Sequence, residues 1–218
     1  MNLFPAKPFD IDSIMAIEHQ SFIPQIQEKK KCFEKRLEVC PDCCFILSDA
    51  SESVVKACGS ALTCGYFCSE LWDSFPSEKD DDEVFARRFA LGHDVKSSHV
   101  PGGMYLYVSS YALRTEYRGN GKGKAFFEAS LNALCGANKN IKKVIVIVNE
   151  EWLPALSIYR SLGFSEVRRL ANFFPTIRKV SLFKREMSAG IVMVADAAAF
   201  RAMDFAARTD NVWEGIKL

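Results

Sequence analysis

Apolar residues recur at helical spacing over residues 10–22, at Ile11, Ile14, Met15, Ile17 and Phe22, with Asp10 or Asp12 available as an N-cap. Pro24 interrupts that pattern, and residues 28–39 form a second, strongly charged helical stretch. Residues 43–48 and 54–66 read as two strands joined by a polar turn at 49–53. Residues 74–100 break the rhythm with an acidic run from Ser77 to Glu83, a helical stretch over 84–91 and a Gly/His/Ser-rich passage into Pro101-Gly102-Gly103. Carboxylates suit a helix N-terminus, so the acidic run predicts a solvated helix start. An insertion of this length between strands often covers a site, which makes 74–103 a candidate substrate lid.

Alternation resumes at 104–113, a strand rich in Tyr, Val and Ser, followed by a helix over 122–137. Residues 143–148, Lys-Val-Ile-Val-Ile-Val, are the near-continuous apolar run of a strand covered on both faces. A helix over 153–162 ends at Gly163, which suits a left-handed C-cap. Residues 164–170 and 180–187 are closing strands, and the alanine-rich stretch 196–208 is a C-terminal helix. The pattern predicts one domain over 1–188 and a C-terminal strand/helix extension over 189–218.

The chain has 218 residues, 49% of them hydrophobic, enough to bury a sizeable core. With 28 Lys+Arg against 27 Asp+Glu the net charge is +1, which argues against a nucleic-acid partner gripped by phosphate neutralisation. No apolar run approaches the roughly 20 residues of a bilayer span, and residues 1–10 do not read as a signal peptide. A soluble cytoplasmic protein is expected. The eight cysteines (32, 40, 43, 44, 58, 64, 68 and 135) fit zinc spacing poorly; adjacent Cys43 and Cys44 on a strand point to opposite faces, so buried structural thiols and no metal are expected.

Chemistry concentrates in Arg118-Gly119-Asn120-Gly121-Lys122-Gly123-Lys124, where a strand ends, glycines turn the chain and a helix begins. First-turn amides lack helical partners and bind phosphate or pyrophosphate, and the loop adds three cations. Lys124 is followed by Ala125, so the Ser/Thr of a Walker loop is missing, and the glycine spacing is wrong for a dinucleotide fingerprint. A second cluster follows: Asn149, Ala155, then Tyr159 with Gly163-Phe164.

Together, Arg118-x-x-Gly121-x-Gly123 and Asn149…Ala155…Tyr159-x-x-x-Gly163-Phe164 resemble the GCN5-related N-acetyltransferase family over roughly residues 8–187. The resemblance implies an α/β fold with a mixed, mostly antiparallel sheet flanked by helices and splayed near residue 112. It implies acetyl-CoA as cosubstrate, with its pyrophosphate on Arg118 to Lys124. Its pantetheine arm would lie against the backbone of Ala112 and Leu113, with Asn149 hydrogen-bonded to it and Ala155 packed on it. Tyr159 would be the general acid for the departing thiolate. A phenol with an ordinary pKa near ~10 stays protonated at neutral pH and can play that part; the competing reading has its hydroxyl bonded to backbone.

Transfer to a small-molecule or peptide amine in a ternary complex is expected, with Cys135 too far along the loop helix to be a nucleophile and the Leu113 backbone aiding oxyanion stabilisation. A catalytically silent acetyl-CoA sensor and a nucleotide-binding regulator are the alternatives. No general base is assignable: His19, His93 and His99 read as surface residues, and Glu70 and Glu83 as solvated. Glu18-x-x-Ser21-Phe22, Arg36-Leu37-Glu38-x-Cys40-Pro41, His93 and Gly102-Gly103 also resemble the arylalkylamine branch, although that branch's two strand histidines are Tyr107 and Ser109 here. Phe67, Trp72, Tyr105 and Tyr107 form either an aromatic substrate pocket or ordinary sheet packing. Residues 172–175, Asn-Phe-Phe-Pro, are either a substrate-facing loop or a plug, and the C-terminal helix offers a homodimer surface.

Overall fold

The computed structural model describes residues 1–50, 54, 63–77, 79–177 and 187–201. Its strands are β1 (Asn2–Pro5), β2 (Cys44–Ser48), β3 (Thr63–Trp72), β4 (Tyr105–Leu113), β5 (Lys143–Asn149), β6 (Ser165–Pro175) and β7 (Met187–Asp196). Its α-helices are α1 (Ile11–Ser21), α2 (Lys30–Val39), α3 (Asp82–Arg88), α4 (Val95–Ser98), α5 (Lys122–Ala137) and α6 (Leu153–Ser161). The strands form one sheet in the order β1-β2-β3-β4-β5-β7-β6, antiparallel except for the β4–β5 pair. That pair is parallel because α5 carries the chain across the sheet between them.

Both faces are covered. On one, Phe126, Phe127 and Leu131 of α5 and Leu156 and Tyr159 of α6 meet Leu106, Val108, Val144 and Val146. On the other, Ile14 and Ile17 of α1 and Phe33 and Leu37 of α2 cover Ile46, Tyr66 and Ala112. Beside them Phe85 and Phe89 of the insertion cover Trp72, Tyr107, Ile145 and Val192. Alternation within β5 splits its valines and Ile145 between these layers, as a doubly covered strand requires.

The structure amends several expectations. Asp10 does not cap α1 with its side chain; its carboxylate accepts the Lys7 amide at 2.8 Å from a 3-10 turn over Pro8–Asp10. β3 runs on to Trp72, past the expected end at residue 66, because Ser69 and Glu70 hide an otherwise apolar strand from a pattern search. The short β1, with Pro5 on a sheet edge that tolerates it, carries no alternation long enough to find. Residues 189–196, expected within a strand/helix extension, form most of β7, a strand of the main sheet between β5 and β6. The first half of the expected strand at 54–66, the strand at 180–187 and the helix at 196–208 fall largely outside the described residues; Ala197–Phe200 is a 3-10 turn.

The acidic run behaves as its charge predicts. Asp81 caps α3 by accepting the Val84 amide at 3.0 Å, and Arg168 of β6 binds Asp82 at 2.8 Å. The insertion over 74–103 thus lies on the sheet, its aromatic rings buried against Trp72 and Tyr107. Cys43 and Cys44 pack into opposite layers, and seven described cysteines are free thiols; Cys58 lies outside the described residues. Among the described residues no group of three or more His, Cys, Asp or Glu is placed to hold a metal ion.

Candidate active site

β4 and β5 pair only through Tyr107 and Ile145. Beyond that point β4 stays with β3 as far as Leu113, and β5 stays with β7 as far as Asn149, so a wedge opens between them. The local cause is a bulge: Cys68 pairs with Ser110 and Ser69 with Val108, leaving Ser109 as the extra residue that adds twist. The splay therefore begins earlier on β4 than residue 112.

At the top of the wedge the chain passes a 3-10 turn and then three successive residues of positive φ: Gly119 (87°), Asn120 (48°) and Gly121 (75°). Left-handed backbone strains any residue with a Cβ, which explains the glycines. The Lys122 amide turns back to the Gly119 carbonyl at 3.0 Å, and the Ala125 amide closes on Gly121 at 3.0 Å. The amides of Gly123 and Lys124 lie in the first turn, where a helix offers no acceptor. Tyr111 supports this turn from beneath by donating its hydroxyl proton to the Gly123 carbonyl. Arg118 serves the loop's position: its Nε donates to the Leu113 carbonyl at 2.9 Å and its Nη2 to Ser21 Oγ at 2.7 Å, tying the loop to β4 and α1. Lys122 lies over the Tyr117 ring at 5.8 Å.

The two wedge walls differ from expectation. The Arg114 amide bonds the Cys64 carbonyl at 2.8 Å, so strict alternation turns the backbone of Ala112 toward β3 and that of Leu113 and Tyr111 toward the wedge. The backbone of Leu113 thus faces the wedge, whereas that of Ala112, expected there, faces β3, and Tyr111 offers the second open backbone position. Asn149 is wholly buried and already engaged: its Oδ1 accepts the Glu151 amide and Ser188 Oγ, both at 2.9 Å, and its Nδ2 reaches the Pro175 carbonyl at 3.4 Å. It fixes the turn from β5 into α6. Ala155, half-buried on α6, packs at the margin of the core.

Tyr159 projects from α6 between the rings of Phe127 (5.1 Å) and Phe164 (5.6 Å). Its residue is 9% exposed, and burial pushes the phenol above its ordinary value. The hydroxyl makes no hydrogen bond to the described residues, and it is absent from their occluded, unpartnered polar atoms. The reading in which this hydroxyl is spent on backbone therefore has no support among them. Tyr111 packs on the same layer as Tyr159, whereas Tyr107 lies in the layer under the insertion.

The other titratable candidates are mostly spent on structure. Glu70, expected in solvent, is wholly buried and receives His93 Nε2 at 2.7 Å, Trp72 Nε1 and Ser98 Oγ at 3.1 Å. Burial alone would raise its pKa, but the His93 bond and charge outweigh it and hold the carboxyl below its ordinary value. His93 also faces the Ala90 carbonyl at 3.2 Å, so both ring nitrogens lie against oxygen atoms. His99 Nδ1 accepts the Leu71 amide at 3.1 Å, which uses the lone pair a base would need. Trp72 stacks on Tyr107 at 4.4 Å inside the core, and Phe67 packs on the opposite face, so these aromatics are sheet packing. Phe174 meets Trp152 at 5.7 Å, which in turn meets Phe22 at 5.4 Å.

One constellation was missed in the sequence. Glu18 is buried (1% exposed), accepting the Tyr66 hydroxyl on Oε2 and the Glu28 amide on Oε1 at 2.8 Å, and Tyr66 Oη lies 2.8 Å from Ser110 Oγ. Its one sequence signal is that Glu18 stands four residues after Ile14 on the buried stripe of α1.

A splayed mixed sheet with an amide-lined loop leading into a helix is the fold of the GCN5-related N-acetyltransferases. No family model matches the chain. It is 26% identical over 132 residues to N-alpha-acetyltransferase 30 of Schizosaccharomyces pombe, covering 61% of this chain and 81% of that protein. Among solved structures, a GNAT-like decarboxylase (GphF) in complex with isobutyryl-CoA matches with a TM-score of 0.66 at 14% identity, over 90% of this chain and 100% of that one. Naa20 of Chaetomium thermophilum with a bisubstrate analogue matches with a TM-score of 0.61 at 15% identity, over 92% of this chain and 88% of that one.

Proposed function

We propose that the protein is an N-acetyltransferase that moves the acetyl group of acetyl-CoA to a primary amine by direct transfer in a ternary complex. What supports this reading is a wedge in the sheet topped by the open first-turn amides of Gly123 and Lys124, with the Tyr159 hydroxyl left without a hydrogen bond among the described residues. The loop amides between residues 119 and 124, apart from that of Lys122, which bonds the Gly119 carbonyl, hold the pyrophosphate, and the wedge-facing backbone of Tyr111 and Leu113 aligns the pantetheine arm. Acetyl-CoA supplies the activated acyl group; the chain supplies orientation and protons. The Leu113 amide, facing the wedge, donates to the oxygen on which charge develops, and Tyr159 donates to the departing sulfur. Cys135 is no nucleophile, because burial pushes its thiol up to about 12.

The curated relative is named for acetylating α-amines, and this favours a peptide amino terminus as acceptor over a small amine. Ser109 and Tyr107 stand where the arylalkylamine branch carries histidines, which disfavours that branch. The insertion over 74–103 forms the floor of the acceptor side in this reading. No helix among the described residues is long and apolar enough to cross a membrane. A cytoplasmic location, no nucleic-acid partner and a homodimer complete the proposal, the last checked by sedimentation.

Calorimetric titration with CoA, ATP and NAD, followed by thiol release from acetyl-CoA across a pool of amines and free-amino-terminus peptides, tests the reading. Preferential CoA binding with amine-dependent release is expected. Binding without release in any pool identifies a silent CoA-binding module, and comparable ATP affinity identifies a nucleotide-binding regulator.

A further inference from the structure

We propose that Ser110, Tyr66 and Glu18 form a proton relay that strips the acceptor amine of its proton, with Ser110 touching the amine and Glu18 taking up the proton. The inference rests on the acetyltransferase reading above. Donor counting fixes its direction. An ionised carboxylate only accepts, so Glu18 Oε2 takes the single hydroxyl proton of Tyr66. Tyr66 Oη must then receive its own bond from Ser110, at 2.8 Å. The Ser110 hydroxyl is left with free lone pairs, poised to accept an N–H.

Position supports the same role. Ser110 is half-buried on the stretch of β4 that has lost β5, beside the bulge at Ser109, whereas Tyr66 is wholly buried and Glu18 nearly so. One end of the chain of hydroxyls therefore meets the wedge and the other ends in a closed pocket under α1. The groups facing Glu18 are few: Tyr66 from β3, the Glu28 amide and carboxylate from the segment before α2, and Arg36 of α2. Arg36 is held by Glu28 in a buried pair, with Nη2 to Oε1 at 2.8 Å, so its charge is already matched. Burial, opposed by the bonds from Tyr66 and the Glu28 amide, raises Glu18 to about 7. A carboxyl in that range takes a proton at neutral pH and returns it.

The step balances. An ammonium N–H proton passes to Ser110 Oγ as the Ser110 proton passes to Tyr66 Oη and the Tyr66 proton to Glu18 Oε2. The nitrogen retains the electron pair with which it attacks, and Glu18 becomes the neutral acid. Reverse passage to water resets the relay after product leaves. Tyr159 serves the sulfur on the opposite layer, so acid and base duties fall to separate phenols.

The test uses the full chain, acetyl-CoA and a pool of pentapeptides with free amino termini. The parent is expected to show a limb in kcat/KM for the peptides with a midpoint near about 7, and Ser110→Ala and Tyr66→Phe to lose that limb together with about 100-fold of kcat while CoA affinity is unchanged. Infrared difference spectra between about pH 6 and 8 are expected to show a carboxyl band that Glu18→Gln removes. A limb and rate preserved in Ser110→Ala, or a carboxyl band that survives in Glu18→Gln, overturns the relay. Ser110→Ala changes only a half-buried hydroxyl, so it carries the test even where a Glu18 variant folds poorly. A relay that fails while the parent still binds CoA and acetylates peptides leaves the functional reading intact; a parent that binds no CoA overturns both.

Discussion

Replacing Tyr159 by Phe separates catalysis from structure because this hydroxyl makes no hydrogen bond among the described residues. A largely shielded hydroxyl without a partner costs stability, by about 1–3 kcal/mol in mutational series. The oxygen is not wholly occluded, so the lower end applies, and about 1 kcal/mol corresponds to roughly 2–4 °C in a chain of this size. The melting temperature of Tyr159→Phe is therefore expected to hold or rise. For turnover, an ordinary phenol near ~10 and a thiol near ~8.5 make complete proton transfer uphill by roughly 2 kcal/mol. Burial widens that gap, so under the proposed function Tyr159 would act chiefly as a donor to the departing sulfur, and a loss of about 100-fold in kcat is expected, at the low end for acid catalysis. Thiol release with saturating peptide, CoA titration and a melting curve measure the three quantities. Turnover within about threefold of the parent would refute the reasoning, as would a drop in CoA affinity matching the loss of rate.

Gly121→Ala places a Cβ at φ 75°, which costs about 1–2 kcal/mol and disturbs the first-turn amides; CoA affinity falls roughly tenfold by calorimetry with helical content unchanged. Glu28→Ala strands the buried Arg36 and lowers unfolding free energy in urea by about 3–5 kcal/mol, and a loss below about 1 kcal/mol contradicts the buried pair. Glu18 is raised from 4.5 to about 7, so the folded state holds its proton more tightly than the unfolded chain does. Its contribution to stability is full below pH 4.5 and is lost as pH rises through about 7. Glu18→Gln is expected to gain on the parent across that window by roughly 3 kcal/mol, and parallel stability curves for the two proteins rule this out.

Local chemistry was legible where it obeys short-range rules. A glycine turn before a helix, an apolar strand covered on both faces and a glycine ending α6 are each fixed by a few neighbouring residues, and each stands where the pattern put it. What escaped the pattern is a matter of which groups meet across the fold. The backbone of Ala112 turns from the wedge and that of Tyr111 toward it because a single bond from Arg114 to Cys64 sets the phase of the β3–β4 ladder. Asn149 is turned inward by Ser188 and Glu151, one of them on a strand that arrives 39 residues later. Glu70 and His93 exchange solvent for each other once α3 and α4 fold back onto β3.

The amino-acid order by itself determined the elements and the loop that offers its amides, because helix periodicity, strand alternation and left-handed glycines depend on adjacent residues. Only the tertiary structure decided which side chains remain free to react. Glu18, Tyr66 and Ser110 lie on three separate elements, and packing alone removes the water that would otherwise keep an ordinary carboxylate, phenol and alcohol independent of one another.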